Sequence, residues 1–165
     1  LHTFAFLLAC AGLVAPAWSA DPPPRIDDSA ALAGLEEAKA VFLIDFTNPK
    51  KTAFYLEIIR GTHQRLRDQG AEPDMILVYI GETVRYLTTE PDDLLDMEFG
   101  AELASVAESV EKLHALGVRQ EVCAVACDVF GVDPANLLPG LTPVGDGFVS
   151  LIGWQSQGYH LVPIF

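Results

Sequence analysis

Met75-Ile76-Leu77-Val78-Tyr79-Ile80-Gly81 places six apolar residues in unbroken succession and ends on glycine. A strand that is apolar on both faces belongs inside a sheet covered on both sides, the usual situation of a parallel sheet. Val41-Phe42-Leu43-Ile44, upstream, has the same character. Between the two strands, Pro49 precedes a helical period across roughly Lys51 to Gln69, closed by Gly70. Tyr55, Ile58, Ile59, Thr62 and Leu66 are expected on its inner face.

Downstream of Gly81 the pattern predicts a short turn of helix near Glu82 to Leu87 and an acidic loop from Glu90 to Asp96. A helix of about five turns follows. Its Phe99, Leu103, Val106, Val110 and Leu113 form one apolar stripe, and Gly117 stops it. Val118 to Val122 reads as a third strand, with a helix starting near Cys123 and ending at Gly131. The Pro-rich segment Asp133 to Pro143 leads to a brief fourth strand at Thr142 to Val144. A helix from Asp146 to Gln157 should bury Phe148, Leu151 and Ile152, with Trp154 off that stripe and expected at a subunit contact. Tyr159 to Ile164 is the last strand, with Pro163 confining it to a sheet edge or falling among its last residues. Strands alternating with helices make parallel βαβ units, so the expected architecture for 39–165 is α/β, a three-layer α/β/α sandwich around a mostly parallel five-stranded sheet.

The remaining N-terminal residues read differently. Leu1 to Ala20 contain no Asp, Glu, Lys or Arg and end in Ala17-Trp18-Ser19-Ala20, the small-x-small pattern of a signal peptide. The stretch is short for a spanning helix and is interrupted by Pro16, so no stable membrane anchor is expected. Cleavage would send the protein to the periplasm or the medium. The alternative is a lipoprotein, with Leu7-Leu8-Ala9-Cys10 as the cleavage box and Cys10 carrying the lipid. Residues 21–38 comprise the linker Asp21-Pro22-Pro23-Pro24, extended because proline fixes φ, and a short helix from Ser29 to Ala38 capped by Asp28.

The chain has 165 residues, half of them hydrophobic, and a net charge of -13. That charge repels phosphate backbones and anionic lipid surfaces, which excludes nucleic acid as a partner. Removal of Cys10 leaves Cys123 and Cys127, too few for a disulfide-built scaffold. No Walker loop, GxGxxG or GxSxG occurs, so no nucleotide cofactor or hydrolase chemistry is expected. Two cysteines without matching ligands do not make a zinc site, and the acidic run from Glu90 to Glu98 lacks the spacing of an EF-hand, so no metal is expected.

In parallel α/β sheets the ligand crevice lies at the carboxyl ends of the strands. The polar or reactive residues there are Asp45, Thr47 and Asn48 after the first strand, Gly81 and Glu82 after the second, and Cys123 after the third. Cys123 is the most reactive type among them. A strand-to-helix turn gives it free amides and the positive end of a helix dipole, an environment that favours the nucleophilic thiolate. Glu121 and Asp128 oppose this and Arg119 assists. The plain alternative is a small buried hydrophobe. Cys127, at i+4, is core filling, a resolving thiol or a partner in an oxidised pair, although a regular helix does not present i and i+4 residues in disulfide geometry. His63, His114 and His160 are isolated and expected to be surface or satisfied core residues.

Several blocks resemble the DsrE/DsrF-like family: Ala40-Val41-Phe42-Leu43-Ile44-Asp45-Phe46, Leu77-Val78-Tyr79-Ile80-Gly81-Glu82-Thr83-Val84-Arg85-Tyr86-Leu87, Gly117-Val118-Arg119-Gln120-Glu121-Val122-Cys123, and the ending from Gly147-Phe148-Val149 through Gln157-Gly158-Tyr159. Their order and spacing cover about Ala40 to the C-terminus. The resemblance implies a three-layer parallel α/β fold, frequent homo- or hetero-oligomers and, in the sulfur-relay members of the family, a cysteine that carries persulfide sulfur. Cys123 is the residue matching that cysteine; Cys127 is not part of the pattern. The expected function is periplasmic sulfur handling through Cys123. The alternatives are a non-enzymatic oligomeric module that binds a small ligand, and a thiol redox protein using both cysteines, which their C-x3-C spacing disfavours.

Overall fold

The computed structural model describes residues 26–164. The expected signal peptide, Cys10 and the Asp21–Pro24 linker lie outside the described residues. The element order is β1 (Glu37–Ile44), α1 (Pro49–Asp68), β2 (Glu72–Tyr79), a 3-10 turn (Gly81–Tyr86), α2 (Asp93–Ala115), β3 (Arg119–Cys123), α3 (Ala124–Phe130), a 3-10 turn (Pro134–Asn136), β4 (Thr142–Val144), α4 (Gly147–Ser156) and β5 (His160–Pro163). The five strands form one sheet in the order β4-β3-β2-β1-β5, and every neighbouring pair is parallel. The chain is thus an α/β protein with the expected five-stranded parallel sheet, and β5 closes an edge, where Pro163 is tolerated.

Side-chain alternation along the central strands assigns the layers. The phenol of Tyr79 donates to Gln120 Oε1 at 2.7 Å, and Gln120 Nε2 donates to the carbonyl of Val110 on α2 at 2.9 Å. Tyr79 and Gln120 therefore face α2, against which α1 also packs. Glu121 and Cys123 are one residue out of phase with Gln120 and face the other side, where α4 crosses β1, β2 and β3. The apolar run that predicted β2 is its buried half, and Leu77, Val78 and Tyr79 are fully inaccessible. Burial also pushes the Tyr79 phenol far above its ordinary range, so it acts as a donor at every ordinary pH.

Local expectations are corrected in four places: before β1, in α2, in α1 and in α4. Residues 29–35 form turns and bends rather than a helix, and Glu37 and Ala38 already belong to β1, paired with Glu72 and Pro73. The expected acidic loop is cut short because Asp92 caps α2 by accepting from the amides of Leu94 and Leu95. Phe99 breaks the helical conformation within α2 (φ -128°), so the buried part of the stripe is Val106, Val110 and Leu113.

The third correction concerns α1, which buries Thr52, Leu56, Ile59 and His63. Of the five residues expected on its inner face, Ile59 is buried and Tyr55 and Leu66 pack half-buried against the core, whereas Ile58 is exposed; with Thr62 they line a groove of about 730 Å3 between α1 and the edge strand β5. Both sets repeat with helical period, so spacing alone does not rank them, and the fully buried one contains threonine and histidine. The fourth concerns α4. Leu151 is buried as expected, but Phe148 and Ile152 point to solvent.

His63 has a testable consequence. It is 3% exposed, and its Nδ1 has no hydrogen-bond partner among the described residues. Burial, and then the charge of Arg67, hold its basicity below the ordinary value near 6.5, with Glu72 opposing. A depressed folded-state pKa means that the fold favours neutral imidazole. Its contribution is complete above the unfolded-state value and is lost as pH falls through about 6.5. The wild-type melting temperature should therefore fall more steeply from pH 7.5 to 5.5 than that of His63→Leu. Parallel curves would show that His63 is not responsible.

Candidate functional site

The site forms where β3 ends. Cys123 is both the last residue of β3 and the N-cap of α3, but its side chain does not cap α3. Its partner comes from the opposite crossover: the backbone N–H of Gly147, at the start of α4, donates to Cys123 Sγ at 3.2 Å. The carboxylate of Asp146 accepts from the amides of Phe148 and Val149 and so caps α4. That leaves the Gly147 amide directed at sulfur. The ten-residue α4, rather than the seven-residue α3, thus supplies both the donor and the positive end of a helix dipole to this thiol.

Only glycine permits this approach. A Cβ at position 147 would lie 2.5 Å from Ile80 Cγ2, 3.1 Å from Cys123 Cβ and 3.5 Å from Cys123 Sγ. The end of β2, the end of β3 and the start of α4 therefore meet around the sulfur. Cys123 is 5% exposed, so its thiol lies beneath the first turn of α4.

Two residues before Cys123, on the same sheet face, Glu121 is also buried, at 4% exposed. Its Oε2 accepts from the hydroxyl of Ser150 and from Trp154 Nε1, the latter at 3.0 Å, while Arg119 lies 3.6 Å from Oε1. The indole of Trp154 also packs edge-on against Tyr159 and beneath the Arg119 guanidinium. Trp154 is therefore tied to the sheet of its own chain. The sequence reading noticed Glu121 only as an unfavourable charge and did not find Ser150. A small polar residue three positions after Gly147, on the face that carries Trp154, was the available signal.

The other expected residues are distributed as follows. Cys127 lies on α3 and is fully buried, and both thiols are free. Burial raises the Cys127 thiol above its ordinary value, and Cys123 and Asp128 add to the rise, so this sulfur stays protonated. Asn48 caps α1 by accepting from the amides of Lys50 and Lys51. Glu82 pairs with Arg85 at 2.8 Å. The carboxylate of Asp45 packs over Gly81, whose φ of +58° favours glycine. Thr83, which lies in a block that resembles the family but has no role assigned from sequence, joins the first two loops: its hydroxyl accepts from the Phe46 amide at 2.5 Å and donates to the Phe46 carbonyl at 3.1 Å. Among the described residues no His, Cys, Asp or Glu side chains converge as a metal-ligating group, and no helix is long and apolar enough to cross a membrane.

Fold and thiol together define a class: a parallel α/β protein with a cysteine at the carboxyl end of an interior strand, under a helix N-terminus. The chain belongs to the DsrE/DsrF-like family, whose model matches residues 28–164. Among solved structures, it is similar to MTH1491 of Methanobacterium thermoautotrophicum, described as a protein of unknown function, at 19% identity and a TM-score of 0.61 over 77% of this chain and 99% of that one. It is likewise similar to the YchN protein of E. coli, at 15% identity and a TM-score of 0.57 over 77% of this chain and 99% of the other. At these identities the likeness is one of fold. No curated protein matches the chain significantly.

Proposed function

We propose that the protein handles sulfane sulfur, with Cys123 as the carrier, and that the segment 1–20 directs it out of the cytoplasm. The observation carrying this reading is the hydrogen bond from the Gly147 amide to Cys123 Sγ at the positive end of α4. A donor aimed at sulfur from a helix N-terminus is the kind of contact a nucleophilic cysteine uses. In the proposed step the Cys123 thiolate attacks the outer sulfur of a donor persulfide. The donor's S–S bond breaks as the new one to Sγ forms, the donor leaves as a thiolate, and the terminal sulfur keeps its proton. The exchange involves no net oxidation. Delivery to an acceptor thiolate is the same step reversed.

A carrier needs protein contacts, and the outer side of α4 is suited to them. Gly147–Ser156 contains no charged side chain in a chain of net charge -13, and Phe148, Val149 and Ile152 lie exposed there. We assign this face to contacts with other copies and with the sulfur donor or acceptor.

Cold cyanolysis after loading with a persulfide donor tests the reading. About one equivalent of thiocyanate per chain is expected from wild type and from Cys127→Ala, and none from Cys123→Ser. Equal yields from all three would remove Cys123 from the reaction. The second reading, a non-enzymatic ligand-binding module, has one observation in its favour. The groove of about 730 Å3 beside β5 is lined by apolar residues such as Phe42, Ile58 and Val162 and contains neither thiol. On that reading Cys123→Ser would retain ligand binding and assembly.

A further inference from the structure

Cys123 is a nucleophile that, as it lies in the fold, a protein donor does not reach. The sulfur sits under the first turn of α4, where a methyl group at position 147 would already be in contact with Sγ at 3.5 Å, and a persulfide would extend the sulfur by a further atom. Sulfur transfer therefore requires that turn to lift, and the structure shows what resists the motion.

Gly147, Ser150 and Trp154 recur at helical spacing along the side of α4 that faces β3. Gly147 meets Cys123, while Ser150 and Trp154 both donate to the same oxygen of Glu121. Arg119 occupies the other carboxylate oxygen and also lies over the Trp154 ring, 5.4 Å from its centroid. A buried carboxylate that accepts two side-chain donors from one helix is a strong local attachment, because charge-assisted bonds exceed neutral ones and are little screened when buried.

We infer that Glu121 is a positioning residue: its carboxylate holds α4 on β3 and thereby keeps the first turn of the helix closed over the Cys123 thiol. Release of this clamp admits the reagent that reacts at sulfur. The nature of that reagent rests on the carrier reading above, whereas the clamp itself does not.

The apolar outer face of α4 gives the clamp a use. A partner that binds Phe148, Val149 and Ile152 grips the helix that must move, so docking and access to the thiol are mechanically linked. An unoccupied protein would keep its sulfur shielded from small oxidants and thiols.

The test is site-resolved alkylation of the native, full-length chain with iodoacetamide, followed by peptide mass spectrometry, for wild type, Glu121→Gln, Ser150→Ala and Trp154→Phe. Trp154→Phe keeps an aromatic ring against Tyr159 and removes only the N–H donor. In Glu121→Gln an amide N–H2 group must face Arg119 or the α4 donors. Each variant should label Cys123 roughly tenfold faster than wild type, the factor by which losing one charge-assisted hydrogen bond shifts a local opening. Cys127, fully buried on α3, is the internal reference and should label at its wild-type rate. Unchanged Cys123 labelling would overturn the clamp, as would a parallel rise at both cysteines, because that is the mark of global loosening. Iodoacetamide alkylates the thiolate, so Ser150→Ala and Trp154→Phe, which keep the Glu121 charge, isolate access from the effect of that charge on the thiol, and the labelling needs no sulfur donor. A wild type that takes up no sulfane sulfur would therefore defeat the carrier reading and leave this inference standing.

Discussion

Gly147→Ala is expected to lower stability by about 2 kcal/mol, with a melting temperature roughly 5–10 °C below wild type. Helix propensity favours alanine over glycine by up to about 1 kcal/mol, so the sign depends on packing. Packing wins. The added methyl would lie 2.5 Å from Ile80 Cγ2 and 3.1 Å from Cys123 Cβ. Ile80 is β-branched and only 8% exposed, so it has little freedom to turn away. The start of α4 must retreat instead, and the Gly147 amide then loses Cys123 Sγ. The cause is specific and can be isolated. Ile80→Ala removes the colliding methyl, so the Gly147→Ala, Ile80→Ala double variant should cost clearly less than the sum of the single costs in denaturant unfolding. Strict additivity would show that the two side chains do not compete for the same space.

Gln120→Leu should cost about 2–3 kcal/mol in denaturant unfolding, although leucine is similar in size and apolar. Gln120 links three elements: it accepts from the Tyr79 phenol on β2 and donates to Val110 on α2. Both Tyr79 and Gln120 are essentially inaccessible, so no water replaces what leucine removes. The phenol, held protonated by burial, becomes an unpaired donor in the core. Tyr79→Phe alone should cost about 1 kcal/mol, and adding it to Gln120→Leu should recover part of the loss by removing that donor. A double variant that is worse than the sum would contradict this account of the contact.

The sheet was legible because its central strands are buried on both faces and advertise this with continuous apolar runs. Even the short β4 was marked by Thr142 to Val144 after a Pro-rich segment, and Pro163 fits the edge position of β5. Helix faces were harder. On α1 two rows repeat with the same period, and the fully buried one carries Thr52 and His63 while Tyr55 and Leu66 pack half-buried beside it. On α4 the inward row is Gly147, Ser150, Leu151 and Trp154, a mixture of small and polar side chains chosen for Cys123 and Glu121, while the more hydrophobic Phe148 and Ile152 face solvent.

The same limit applied to the site. Cys123 could be singled out from its place between strand and helix. Its hydrogen-bond donor could not, because Gly147 lies 24 residues away and arrives only when the crossover from β4 to β5 carries α4 across the opposite face of the sheet. Local spacing pointed to the amides of α3; tertiary packing supplies those of α4. Asn48 and Glu82 stand at the carboxyl ends of strands as expected, and there their side chains bond to a helix N-terminus and to Arg85.

The most direct test of the central claim is the intact mass of the mature protein after brief exposure to a persulfide donor, followed by peptide mapping of the alkylated product. The account predicts a reducible gain of ~32 Da, one sulfur, confined to the peptide containing Cys123 and absent from Cys123→Ser. No gain, a gain located on Cys127, or loss of two hydrogens through a bond between the cysteines would contradict it.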